Sequence, residues 1–477
     1  MGLRILYLHP APRGEGAQGP GASYPVLPVG AVGLCNRLIA AGHQVRGLNV
    51  PAERAFDAGF SLDAWLKGAA PADLVMMDLH WAEHALGVLD AATRVASAWP
   101  GATIVAGGLT ATRFPEELLA LSPALHGVVA GDAERPIEAL AEAIEAGHAW
   151  PPPTPNLVSR ERAPGPSWRT GQADYDALDT VELGWLVHPE RTRRLLHSRP
   201  PRRPGRAEWT GHWLANGRGC AFECLYCGGS RSAHERLSGR KGLLKRAPEA
   251  VAADVGRLQD QGVHQIALTL DPDMLGSAHR GAFFAALSGR PGLYVESFQV
   301  PSLALLDALA ARADLDHTEL ALTPLSGDLA VRRRNGKHYD DHALIERLQA
   351  AWTRDISTFI FFSLNLPGED ERTLSETLAL ADRLLDAAPP GLLRVANICH
   401  TLDPASPMTE GAGGFGGALQ FRRLSDWVEH GRQPRPWRFV EGERGFSMPG
   451  RDLAAMVRRW DARCATAGGV FIPVPPV

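Results

Sequence analysis

Apolar positions along this chain follow two alternating rhythms. Short runs, among them RILYLH, DLVMMDL and TIVAGG, are apolar at most positions, whereas VGAVGLCNRLIAAGH and ALGVLDAATRVASAW space their apolar residues by three and four. The first rhythm predicts strands buried on both faces, the second amphipathic helices. Residues 1–147 are therefore expected to form an α/β domain around a doubly wound parallel sheet. Ligands of such sheets lie at the carboxyl ends of the strands, here the loop 10–30, the turn 78–83 and Gly107–Gly108.

Residues 148–208 carry PPPTP, APGP and SRPPRRPGR, breaker signals without a sustained period, and read as a surface linker with a few short helices. Over 209–410 strand-like runs return as QIALTL, LYVESF, TELALTP, TFIFFSLN and LRVANI. They alternate with helical patterns such as PEAVAADVGRLQDQG and DHALIERLQAAW. That order predicts a partial or complete parallel barrel. A C-terminal extension, 411–477, opens with glycine-rich sequence and ends in a helix-like MVRRWDARCATAG.

Composition narrows the class. A chain of 477 residues, 45% hydrophobic, suits two or three packed domains. Its net charge of −4 comes from 49 basic and 53 acidic residues, so no positive field recommends nucleic acid or an anionic membrane as partner. No apolar run reaches the roughly 18 residues of a membrane span, and MGLRILYLHPAP lacks the apolar region of a secretory signal. Six cysteines in so long a chain make no disulfide scaffold, and the expected setting is the reducing cytoplasm.

Three of those cysteines stand together in NGRGCAFECLYCGGS, as Cys220, Cys224 and Cys227. Closed structural zinc sites take four protein ligands. Cys35 in the first predicted helix, Cys399 at a strand end and Cys464 in the last helix offer no second CxxC. Three thiolates on one loop fit three irons of a four-iron cluster with the fourth iron left open.

This stretch resembles the signature of the radical S-adenosylmethionine (SAM) superfamily, CxxxCxxC with an aromatic residue, here Tyr226, before the last cysteine. The resemblance implies a 4Fe-4S cluster on Cys220, Cys224 and Cys227, with SAM chelating the open iron and being cleaved reductively to a 5′-deoxyadenosyl radical. Tyr226 and Gly228 count with the cofactor-binding residues. The likeness covers nearly all of 210–410 and implies a partial (βα)6 barrel. LTLDPDML resembles the segment after the second barrel strand, where Asp271 and Asp273 either contact SAM or substrate or cap a turn. LTPLSGDLAVRRRNGK resembles the fourth-strand segment, with Leu325 where a Glu is usual. It leaves Ser326, Arg332, Arg333 and Arg334 as candidates for SAM's polar groups, against the alternative of a solvated helix face. LPGE around Pro367 resembles a structural turn, and LDPASPM the loop that closes the barrel.

Residues 1–146 resemble the cobalamin-binding-like domain that precedes many such barrels, through Gly107–Gly108, Pro115-Glu116-Glu117 and Gly131. This implies a flavodoxin-like fold. The lower-ligand pattern DxHxxG is missing after the first strand, and Asp78, His80, Trp81, Glu83 and His84 place bulk where relatives carry small residues. Cobalamin is therefore a possible cofactor but not the first expectation. Of these, Asp78, His80, Trp81 and His84 are candidates for substrate contact, and His80 with His84 for a metal pair if helical.

Three functions compete. The first is radical dehydration of an aminosugar or polyol, such as an aminoglycoside in antibiotic biosynthesis, with Asp271, Asp273, Glu296 and Asp328 as candidate acidic groups for a cationic substrate. The second is cobalamin-dependent radical methyl transfer to carbon. The third is a non-catalytic iron-sulfur or zinc module. Either enzyme requires an external electron donor, a flavodoxin or a reductase, because the chain shows no flavin or second-cluster motif.

Overall fold

The computed structural model describes residues 2–13, 25–161, 167–198, 209–411, 414–433 and 439–475. The first sheet holds β1 (Arg4–His9), β2 (Gln44–Asn49), β3 (Leu74–Asp78), β4 (Thr103–Gly107), β5 (Gly127–Val129) and β6 (Leu157–Ser159), in the order β2-β1-β3-β4-β5-β6. The first five strands are parallel, and their order 2-1-3-4-5 is that of flavodoxin-like folds. Period-two alternation explains why they are apolar throughout. Leu6 and Leu8 pack with Val75 and Met77 on one face, while Ile5 and Tyr7 pack with Leu74 and Met76 on the other.

The stretch expected to cross the surface as a linker departs from that reading. Its β6 pairs antiparallel with β5, and Trp185 and Leu186 lie buried against β2. A Cβ at Gly47 would stand 2.3 Å from the Trp185 ring, so only glycine lets the segment lie there. Proline-rich composition signals irregular backbone, but not whether that backbone is covered. The arginine-rich stretch SRPPRRPGR falls largely outside the described residues.

The second sheet runs β7 (Gly211–Leu214), β8 (Gln265–Leu268), β9 (Leu293–Ser297), β10 (Glu319–Leu325), β11 (Ser357–Leu364) and β12 (Leu393–Cys399), each pairing parallel with the next. Alternation here separates an outer core from an inner one. Ile266, Leu293, Val295, Leu320 and Leu322 pack under the helices, while Ala267, Tyr294 and Ala321 meet inside the curve of the sheet. Glu296 follows Tyr294 by two residues and so shares the inner face.

The C-terminal extension completes this barrel. Its strand β13 (Phe471–Ile472) pairs parallel with β12, and helix Leu453–Cys464 buries Leu453, Met456 and Trp460 in the outer core. Trp460 stacks on Phe471 at 5.5 Å, and its Nε1 donates to the Ile472 carbonyl at 2.9 Å. Helix Leu424–Arg432 packs instead on the N-terminal domain, where Trp427 lies 5.9 Å from Phe114. No described helix is long and apolar enough to cross a membrane.

Trp460→Ala is expected to lower unfolding stability by about 3–5 kcal/mol, as large-to-small changes at filled core sites do. Denaturant unfolding checks this; a loss below about 1 kcal/mol would show that the extension is not part of the barrel core.

Candidate cluster and cofactor site

Cys220 follows a short strand, Gly217–Arg218, and the three cysteines ring a loop that ends at helix Arg231–Ser238. Glycine opens the loop. Gly219 has φ 93°, and a Cβ there would stand 2.7 Å from the Gly242 carbonyl. The loop folds on itself through Cys227 N–H to the Cys224 carbonyl (3.1 Å) and Arg231 N–H to the Phe222 carbonyl (2.9 Å). Ser230 caps the helix through Ala233 N–H at 3.3 Å.

The sulfurs already receive backbone donors. Phe222 N–H donates to Cys220 Sγ at 3.4 Å and Gly229 N–H to Cys227 Sγ at 3.3 Å. Such bonds stabilise thiolates and tune bound clusters. Burial outweighs those donors and pushes all three thiols up, Cys227 to about 12, so loading must displace protons. Among the described residues the one set of three ligand atoms within 4.8 Å lies elsewhere, so these thiols are not closed around a single ion. Open spacing and amide donors fit a polynuclear iron-sulfur group better than mononuclear zinc.

A lysine that sequence reading passed over faces the loop. Lys337 is buried, and its Nζ donates to the Phe298 carbonyl at 2.6 Å. Burial lowers its pKa, against the opposing pull of Cys224, Cys227, Glu296 and Asp271. Next to it, Gly336 comes so close that a Cβ would stand 2.7 Å from Cys224 Sγ. The signal lay in the turn Asn335-Gly336-Lys337, directly after the arginines that drew attention instead.

The candidates divide around this lysine. Asp271 accepts Asp273 N–H at 2.8 Å and Phe298 N–H at 2.9 Å, and burial pushes its carboxyl up to about 6 despite those donors. Glu296 accepts the Tyr294 hydroxyl at 3.2 Å, and burial raises its pKa too. Tyr226 lies over the His400 ring at 4.6 Å and close to Cys224, Cys227 and Glu296. Gly228 meets the closing loop, where a Cβ would stand 1.9 Å from Asp403 Oδ1. Asp403 also accepts Ala405 N–H at 2.9 Å, and burial raises its pKa.

Other candidates are engaged elsewhere. Asp273 pairs with Arg280 and accepts both Ser302 N–H (2.7 Å) and Ser302 Oγ–H (2.8 Å), which is the turn-capping alternative. Asp328 caps helix Leu329–Arg334 and pairs with Arg372 at 2.7 Å. Ser326 Oγ accepts Asp328 N–H at 3.1 Å within the same turn. Arg332 is fully buried, donating to the Ser326 and Gly327 carbonyls and pairing with Asp341, so it is neither a solvated face nor open to a ligand. Arg333 and Arg334 are exposed. Leu325, where the resemblance expects Glu, is buried with φ 71° beside a register shift in β10.

The β3 turn of the N-terminal domain meets this end of the barrel. His80 is half-buried and neutral, its pKa pushed down to about 4 by burial and then by His234. Trp81 covers it at 4.8 Å, and burial followed by the charge of Asp403 raises the Glu83 carboxyl. Asp78 and His84 turn the other way, into the domain, where both are buried. A 3-10 turn spans Ala82–His84 and the helix starts at Ala85, so His80 and His84 share no helical face and the expected metal pair does not form. Arg218, two residues before Cys220, joins the domains through Asp132 (2.9 Å) and Glu134 (2.5 Å).

A flavodoxin-like sheet joined to a six-stranded parallel barrel is a fold this chain shares with solved structures. TsrM from Kitasatospora setae, a radical SAM methyltransferase with cobalamin and a [4Fe-4S] cluster bound, has this fold. It shares 17% identity over 99% of this chain and 90% of its own, with a TM-score of 0.62. The same enzyme with its tryptophan substrate and aza-SAM gives 0.61 over 98% and 89%, again at 17% identity. OxsB, a cobalamin-dependent SAM radical enzyme with aqua-cobalamin bound, gives 0.56 at 12% identity over 81% of this chain and 53% of its own. No family profile matches the chain, and no curated protein matches it significantly.

Two outcomes follow from the geometry. Gly228→Ala forces a methyl into Asp403 and is expected to cost about 1–3 kcal/mol of stability, read by denaturant unfolding. The folded chain keeps the proton on Asp271 up to about pH 6, while the ordinary value is 3.8, so stability falls as pH rises between those values. Asp271→Asn should remove that fall, at most about 3 kcal/mol, when cluster-free protein is unfolded in urea at about pH 4 and about pH 6.5.

Proposed function

We propose that this chain is a radical SAM enzyme that cleaves SAM reductively at a 4Fe-4S cluster on Cys220, Cys224 and Cys227. One observation carries the reading: the three thiols ring a glycine-hinged loop at the barrel end, with sulfur-directed amides and the buried Lys337 beside them. When bound, the cluster would supply the electron that breaks the sulfonium bond. Tyr226, Gly228, Asp271, Glu296 and Lys337 are the residues that would hold SAM and substrate against it. Lys337 suits a carboxylate, and Asp271 and Glu296 offer hydrogen-bond acceptors, or donors when protonated.

For the reaction outcome we favour methyl transfer with cobalamin over aminosugar dehydration. The fold likeness to TsrM and OxsB supports it, and so does the edge of the N-terminal sheet. Asp78 and His84, two of the five bulky groups that argued against a corrin, are buried in the domain and leave His80, Trp81, Glu83, Gly107 and Gly108 along the edge. Bound there, cobalamin would carry the methyl group between SAM and substrate. The dehydratase reading loses its main support, because Asp273 and Asp328 are engaged in caps and ion pairs. Burial also raises the carboxyl pKa of Asp271 and Glu296, which weakens both as anions for an aminosugar.

Anaerobic reconstitution with iron and sulfide, with and without cobalamin, followed by reductant and SAM, tests this. The expected result is stoichiometric corrin absorbance after desalting, with S-adenosylhomocysteine and 5′-deoxyadenosine measured by mass spectrometry. Cys224→Ala is expected to abolish SAM cleavage. Deoxyadenosine without bound corrin would return the outcome to dehydration, and no cleavage in either preparation would leave a non-catalytic module.

A further inference from the structure

The fold gathers a second set of ligating side chains. His9, Asp78 and His84, all buried, bring three ligand atoms within 4.8 Å of one another. The parallel register of β1 on β3 aligns Leu8 with Met77, so His9 and Asp78 leave adjoining strand ends side by side. His9 Nδ1 stands 2.9 and 3.0 Å from the two Asp78 oxygens. His84 arrives from the 3-10 turn, its ring 5.0 Å from that of His9.

The set carries supporting contacts of its own. A backbone hydrogen bond with Pro10 orients the His84 imidazole. Tyr7 Oη–H donates to Asp78 Oδ1 at 2.7 Å, the kind of outer bond that steadies a ligating carboxylate. Trp81, with its ring 6.4 Å from that of His9 and 5.8 Å from that of His84, covers the set on the barrel side.

We propose that His9, Asp78 and His84 form a mononuclear site for a divalent ion of the zinc or cobalt class, separate from the iron-sulfur cluster. Two imidazoles and one carboxylate satisfy three positions of a tetrahedral ion and leave the fourth for water or another donor. The ion takes the place of the proton shared between His9 and Asp78. By tying β1 to the β3 turn, it fixes where His80 and Trp81 stand toward the barrel.

Cobalt(II) titration of the full-length chain carrying Cys220→Ser, Cys224→Ser and Cys227→Ser tests this without interference from iron. The expected result is one equivalent bound, with visible ligand-field bands and no thiolate charge-transfer band. Tyr7→Phe removes only the outer hydroxyl and should weaken binding roughly tenfold, while Asp78→Asn and His84→Gln should weaken it further. A folded chain that binds no cobalt, or binds it equally well after Asp78→Asn and His84→Gln, overturns the proposal. If the triple variant does not fold, cluster-free wild-type protein replaces it, and Asp78→Asn must then remove the non-thiolate component.

Discussion

The arrangement of the site depends on one ion-pair junction. Arg218 ends a short strand two residues before Cys220, and its guanidinium reaches Asp132 and Glu134 at the end of the N-terminal sheet. Arg240 adds a second contact to Asp132 at 2.5 Å. Charges so deeply placed are costly unless fully paired, and removing one partner of a buried pair costs about 3–5 kcal/mol. The junction therefore fixes register more than it adds stability. Because it lies two residues from Cys220, the position of the cysteine loop follows the position of the N-terminal domain.

Packing reinforces that coupling from the other end of the chain. The C-terminal extension gives one helix and a strand to the barrel and another helix to the N-terminal domain, and the closing loop reaches the cysteine loop through Asp403 and Gly228. Met408 N–H also donates to the Leu225 carbonyl at 3.2 Å. Cysteine loop, N-terminal edge and extension thus form one packed unit.

The acidic residues show how far motif reading carries. Asp271 and Asp273 are two residues apart and equivalent in sequence terms, yet one faces the buried lysine and the other is closed off by Arg280 and Ser302. Arg332 lies in a run that composition assigns to solvent, but carbonyls and Asp341 draw it fully inside. Asp78 and His84 belong to a turn expected to face the barrel, and both face away.

Local sequence was enough to reveal the alternation of strands and helices, the doubly wound and barrel domains, and the three cysteines. Those features are written in hydrophobic period and short-range spacing, which need no knowledge of distant partners. Lys337 beside the cysteines, His9 beside Asp78, and an extension that completes the barrel join residues far apart in the chain. Only the tertiary structure decided them, because side-chain direction at a strand end is set by register with its neighbour and by what packs above it.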